Sequence, residues 1–596
     1  MRCFVLVLLV FLALPAAAQQ TTRRAPELVV LDAEQADGVP ELGPLVTAPA
    51  SRLAPVVARY TGDRQALSRR WDTPLSAEAR TRMREFFTKW QTNLKAIDFD
   101  GLEREGRVDY ILLDHRIRYE LSLLDREEKT LAEMQPLLPA MDALLGMHAR
   151  WRRREPVDSR ASAEALDEAV RAVQAASANA AEAGVTPVVG QRATETLQGV
   201  RRAIRDWHTF HAAYDPGFTW WTSDPFERFD RAMEGYITHV RERVVGIRPG
   251  EEEPIIGDPI GAAGLADDLR VEMMPYTVEE LIEIAERELA WGEAEMRKAA
   301  NELGYGDDWK AALEHVKQQH VEPGAQPALV ADLAHEAEAY LDERDLVTVP
   351  AMAREIWRMT MLSPERQRVA PFFLGGEVVQ IAFPTDGMTH DEKMMSMRGN
   401  NEHFSRAVVH HELIPGHHLQ GFMTQRYNTH RSEFSTPFWG EGWALYWEFV
   451  LYDNEFPKSP EDRIGMLFWR NHRAARIIFS LGFHLGRMTP QEAIDFLVER
   501  VGHERANAEA EVRRSFGGSY SPLYQAAYMI GGLQIRQLYR DLVESGQMQP
   551  REFHDAVLQG GRMPIEMVRA RMADIPLTRN YSANWRFYPG VGPRTE

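Results

Sequence analysis

A mainly α-helical fold is what the sequence predicts, and three observations predict it. Apolar residues recur every three or four positions through most of residues 51–365 and again beyond residue 400. Glu–Lys and Glu–Arg pairs occupy the opposite faces of those stretches. Before residue 400, strand-like patterning is clear in one short segment alone, FFLGGEVVQIAFPT at residues 372–385.

Taken in order, the chain starts with MRCFVLVLLVFLALPAAA, which has a basic residue at Arg2, an apolar run and a small-residue site at Ala16-Ala17-Ala18. That is the pattern of a secretory signal peptide over residues 1–18. The apolar run is shorter than the about 20 residues a bilayer span needs. Residues 19–50, rich in Pro, Gly and Ala, read as a flexible linker. Residues 51–365 read as helix after helix. One of these, TVEELIEIAERELAWGEAEMRKAANELGYG, opens at Thr277 ahead of Glu279 and Glu280 and closes at Gly304. No fixed-length repeat is present, which favours a compact bundle over a solenoid. In residues 372–385 a hairpin is expected, turning at Gly375-Gly376. It is either a surface feature or an edge beside an active-site helix, able to pair with an extended peptide. Residues 366–596 continue as helices, and they carry the residues on which metal chemistry would depend.

Composition narrows the chemistry. The only cysteine is Cys3, inside the signal, so any metal in the exported chain must be held by His, Asp or Glu. Cys3 also stands too early for a lipid-attachment box. A formal net charge of -19 argues against nucleic acid and anionic membrane as partners. No later apolar run is long enough to span a bilayer, so an exported chain, periplasmic or secreted, is expected.

The stretch HHELIPGHHLQ, residues 410–420, begins like the zinc-binding H-E-x-x-H helix but has Pro415 where the second histidine should stand. On a regular helix, histidines four apart share a face and can converge on one zinc. His417 and His418 lie six and seven positions after His411, wrong in direction or too far along the axis. Pro415 cannot donate to the carbonyl of His411, and Gly416 tolerates unusual backbone angles. A bulge at this pair would return His417 to the place of the missing ligand. Downstream, FWGEGWALYWE sets Glu441 and Glu448 seven apart, on one helix face, among aromatics. Glu441 is the better third ligand, and Glu448 is placed to orient a ligand histidine.

In that order HHELIPGHHLQ, GEGWALYWE, RAARIIFSLGFH and SPLYQAAYMIG resemble the bacterial DUF885 family, grouped with the gluzincin metallopeptidases. More distantly they are similar to carboxypeptidase Taq, thimet-type oligopeptidases and angiotensin-converting enzyme. The resemblance implies one zinc ion held by His411, His417 and Glu441, with Glu412 as general base and Tyr528 as donor to the oxyanion. It also implies a deep cleft walled by the N-terminal helices, taking short peptides. Two departures stand out: Ser480 where the family pattern has aspartate, and Leu523-Tyr524 where it has Gly-Gln. Tyr524 shares a helical stripe with Tyr528; Arg476 and His484 are two turns apart and could bind a substrate carboxylate or carbonyl; His410 and His418 flank the ligands. Three rivals remain: a silent metal- or peptide-binding protein, a zinc hydrolase of non-peptide amides or esters, and a His-His-Glu iron enzyme. Glu412, next to the first histidine, favours hydrolysis.

Overall fold

A computed structural model describes residues 39–592, apart from 49, 251–252, 368–369 and 519. The expected signal peptide lies outside the described residues. Part of the expected linker does not: Leu42–Thr47 is a short helix with no buried side chain. Its proline sits in the first turn, where no helical N–H is lost.

Helices account for 70% of the chain, and the described residues contain one sheet of two strands, so the fold is mainly α. The helices that matter for the site are α1 (Arg104–Met134), α2 (Val278–Glu302), α3 (Glu402–Glu412), α4 (His417–Thr424), α5 (Pro437–Asp453), α6 (Pro460–His484), α7 (Arg505–Phe516) and α8 (Tyr524–Tyr539). Local signals set their ends. Thr277 and Glu280 form a capping box at the start of α2, and Gly304 follows its end at a φ of 86°. Asn401 caps α3 by accepting from the N–H groups of His403 and Phe404.

Two apolar cores form. The smaller gathers residues between Met134 and Val240, chiefly from the helices Ser159–Asn179, Pro187–Ala212 and Pro216–Val240. The larger runs from Leu53 to Val591 and takes in α1 and α2 as well as α3 to α8, so packing crosses residue 365 freely. Along α6, Arg470 reaches Glu288 of α2 at 3.0 Å and stacks over Trp291. Helices α5 and α8 cross closely where Gly442 meets Gly531: a Cβ on Gly442 would lie 2.6 Å from the Gly531 backbone. Behind the site, Arg431 pins α1 by donating from Nε to Asp109 at 2.7 Å and from Nη2 to Glu105 at 2.6 Å. Burial pushes the Asp109 carboxyl up, but Arg431 and His430 override it and bring it down to about 2.

The expected hairpin forms only in part. Strand β1 (Arg358–Met361) pairs in parallel with β2 (Val378–Ile381), from Arg358↔Val378 to Met361↔Ile381. The first arm of the hairpin contributes just the bridge Leu374↔Gln380. Gly375-Gly376 turns the chain against the end of α3 instead, where the Gly376 N–H donates to the Glu412 carbonyl at 3.2 Å. The partner strand lies upstream of the segment, beyond the reach of a local turn signal.

Candidate metal centre

The helix carrying HHE breaks where proline requires it to. α3 ends at Glu412 and α4 begins at His417, with a cis Ile414–Pro415 peptide between them. The His410 carbonyl, robbed of its helical partner, accepts from the Gly416 N–H at 3.0 Å. Trp443 of α5 holds the bulge by donating from Nε1 to the Pro415 carbonyl at 2.8 Å. Gly416 passes so close to α3 that a Cβ on it would lie 1.8 Å from the His411 carbonyl oxygen. This tight step brings the two imidazoles together, with ring centroids 4.9 Å apart.

Glu441, in the second turn of α5, completes the cluster. Its Oε2 lies 3.2 Å from His417 Nε2 and 3.5 Å from His411 Nε2. Among the described residues, His411, His417 and Glu441 are the one group of three able to share an ion, with ligand atoms within 4.8 Å of one another. Zn–N and Zn–O bonds of about 2.0–2.2 Å in a tetrahedron set ligand atoms roughly 3.3 Å apart, so the spacing fits such an ion. The chemistry fits as well. Burial resists ionisation of Glu441, yet the two histidines hold its carboxyl well below the usual range. Burial likewise opposes a charge on His417, but Glu441 draws the imidazole up to about 9. Two imidazoles and a carboxylate turned toward one point are a donor set that a divalent cation could use.

Around these ligands the side chains hold one another in place. Glu448 Oε1 accepts from His411 Nδ1 at 2.7 Å, which fixes the tautomer and turns Nε2 toward Glu441. Burial pushes the Glu448 carboxyl up, and Arg473 and His411 bring it below its ordinary value. Tyr524 donates its hydroxyl to the other oxygen of Glu441. One carboxylate oxygen is thus left for the histidines. Burial and Glu441 together push the Tyr524 hydroxyl far up. Tyr528 stacks its ring on His411 at 6.0 Å, and burial, then Glu441, raise its hydroxyl to about 12, which keeps it a donor at neutral pH.

A cavity of about 310 Å³ opens on this cluster. Glu412, His411, His417, Glu441, Tyr524, Tyr528 and Arg476 all line it. Burial raises the Glu412 carboxyl, the direction a general base at neutral pH needs. The loop at Gly375 lies on top of Glu412: a Cβ there would come within 2.0 Å of Oε2.

Other expectations fare differently. His410 does not line the cavity; it is buried against Phe456, and neither ring nitrogen has a hydrogen-bond partner. His418 is spent on the Ala353 carbonyl at 2.7 Å. Each neighbours a ligand in sequence and so points about 100° away from it on its helix. His484 is buried beside Phe483 and lies outside the cavity, so it does not face a substrate with Arg476. The residues that line this cavity lie between Arg366 and Tyr528. Sequence reasoning missed Arg473, Arg514 and Glu511. Arg473, one turn before Arg476 on α6, was the one with a usable signal.

No curated protein matches the chain. Five chains of solved structures do, among them the following two. A candidate lipoprotein of unknown function from Shewanella oneidensis aligns with a TM-score of 0.62 at 18% identity, over 87% of this chain and 99% of its own. A candidate lipoprotein from Colwellia psychrerythraea gives 0.58 at 17%, over 87% and 98%. At such identity the likeness concerns the fold alone. The family model described as "Bacterial protein of unknown function (DUF885)" matches residues 55–572, and with that coverage the chain belongs to the DUF885 family.

Proposed function

We propose that this chain is an exported zinc-dependent peptidase of the gluzincin type that hydrolyses short peptides. One observation carries the reading: His411, His417 and Glu441 turn three ligand atoms to one point, and Glu412 lines the same small cavity. A protein that merely stored metal would have no use for a buried carboxylate of raised pKa beside the first ligand.

Bound there, zinc would polarise the substrate carbonyl and acidify a water. Glu412, which lines the same cavity, would accept a proton from the attacking water and return it to the leaving amine. Glu448 keeps His411 in the tautomer that frees Nε2. Tyr528, protonated at neutral pH, donates to the developing oxyanion. Tyr524 holds Glu441 in one rotamer through its second oxygen. The bounded cavity supports peptides of a few residues over folded proteins.

Export rests on the signal pattern of residues 1–18. It is supported by the description of both structural neighbours as candidate lipoproteins. Among the described residues, no helix is long and apolar enough to cross a membrane.

Metal analysis of the purified protein should find one zinc per chain, and a peptide library should be cut by the wild type and spared by Glu412→Gln. Iron in place of zinc, or equal cleavage by the two forms, would overturn the proposal. Amide and ester substrates tested beside the library separate a peptidase from a hydrolase of other acyl groups.

A further inference from the structure

Four arginines line the cavity: Arg366, Arg473, Arg476 and Arg514. Three of them are buried, with 5%, 2% and 8% of Arg473, Arg476 and Arg514 exposed. A guanidinium this deep needs an acceptor for each N–H and a countercharge for its cation. Two buried carboxylates, Glu511 and Glu448, stand beside these three guanidiniums. Glu511 is shared, accepting from Arg476 Nε and Nη2 at 2.8 Å while one of its oxygens lies 3.7 Å from Arg514. Glu448 lies 3.5 Å from Arg473 but is already bonded to His411. Arg473 Nε, Arg476 Nη1 and Arg514 Nε have no hydrogen-bond partner, and neither do Glu448 Oε2 and Glu511 Oε2, so the buried charges are only loosely paired. All three arginines line the cavity and give it a positive wall.

The positive charge is local and near the reacting centre. Four arginines face the four carboxylates of Glu412, Glu441, Glu448 and Glu511, so a divalent ion in the ligand cluster leaves the site two charges positive, in a chain of net charge -19. Tyr528 links the two parts: its ring lies 6.0 Å from that of His411, 4.5 Å from the Arg476 guanidinium and 4.7 Å from that of Arg473. The guanidinium of Arg476 is therefore at most 10.5 Å from the His411 ring. An extended chain covers about 3.3–3.6 Å per residue, so that span admits up to about three residues beyond a cut bond.

We infer that this arginine wall binds a carboxylate of the substrate within about three residues of the scissile bond, so that the enzyme favours short peptides that carry a carboxylate close to the cut bond. The inference rests on the peptidase reading of the same cavity. Planar forks on Arg473, Arg476 and Arg514 suit the two oxygens of a carboxylate. That group is the terminal carboxylate or an acidic side chain, which offer the same chemistry.

The test uses the zinc-loaded full chain and three forms of one peptide: free acid, terminal amide, and amide with aspartate next to the cut bond. A charge-assisted contact of the usual strength predicts that kcat/KM for the free acid exceeds that for the amide by about 10- to 100-fold, chiefly through KM. Arg473→Gln should shrink the ratio to a few-fold at most. If that variant does not fold, the wild-type ratio decides. Recovery of cleavage in the aspartate amide assigns the carboxylate to a side chain, and no recovery assigns it to the terminus. Equal cleavage of acid and amide, both dependent on Glu412, overturns the inference and leaves the peptidase reading standing. If no peptide is cut, calorimetric binding to Glu412→Gln decides: tighter binding of the free acid upholds the carboxylate site without the peptidase, and equal binding overturns both.

Discussion

Replacing Gly416 by alanine should dismantle the centre, because nothing near it can yield. The added Cβ would sit 1.8 Å from the His411 carbonyl oxygen, 2.4 Å from its carbon and 2.5 Å from the His410 carbonyl oxygen. All three are backbone atoms of the last turn of α3, so no rotamer relieves them. Side-chain Cβ atoms essentially never approach closer than 3.0 Å, so the two segments must part by at least 1.2 Å, the difference between 3.0 and 1.8 Å. Metal sites tolerate deviations of about 0.2 Å in ligand distance, several times less than that displacement. Overpacking of this kind costs about 1–3 kcal/mol of stability. The expected result is a zinc affinity at least about 10-fold weaker and a lower unfolding midpoint, measured by competition with a chelator and by circular dichroism. Gly421→Ala is the control, since a Cβ there meets nothing within 4 Å. On α4 it should leave zinc affinity unchanged and raise stability by up to about 1 kcal/mol. Wild-type zinc affinity in Gly416→Ala would refute the claim that this close passage sets the spacing of His411 and His417.

Two further outcomes are expected. Glu448→Gln keeps the shape beside His411 but loses the charge that fixes its tautomer, so zinc affinity should fall about 10- to 100-fold while the helical circular dichroism signal is retained; unchanged affinity would remove the orienting role. Stability should also fall in acid through Asp109. Its carboxyl moves from 3.8 to about 2 on folding, a depressed value, so the stabilisation is complete above pH about 4 and is lost as pH falls toward about 2. That contributes about 2 kcal/mol at neutral pH. Denaturant midpoints measured between pH 5 and pH 2 should therefore slope less in Asp109→Asn than in the wild type, and parallel slopes would contradict the assignment.

What the sequence discloses depends on how local the cause is. The break at Pro415 can be foreseen because a missing N–H and a crowded ring act on the preceding turn alone, and α3 and α4 divide there. The ends of α2 are legible for the same reason, since Thr277, Glu280 and Gly304 act within a few residues of themselves. The parallel partner of β2 is not legible. Residues 358–361, Arg-Met-Thr-Met, alternate polar with apolar over only four positions, and the pairing depends on the chain between the strands folding back. Gly375-Gly376 looks like a hairpin turn and serves mainly to let the backbone pass over Glu412.

The divide runs through the site itself. Ligand candidates could be chosen because two histidines and two glutamates lie on short helical stretches whose faces follow from counting. The arginine wall could not be counted in this way. Arg473 and Arg476 share a face of α6, but that face has meaning only because α7 brings Arg514 and Glu511 against it and α8 inserts Tyr528 between it and His411. Read singly, each arginine is one more half of an ion pair. The buried charge cluster is a property of several helices at once: Glu448 stands beside His411 and Arg473, and Glu511 beside Arg476 and Arg514. The candidate ligand set is therefore legible in this sequence, while the arginine cluster appears only after the chain has folded.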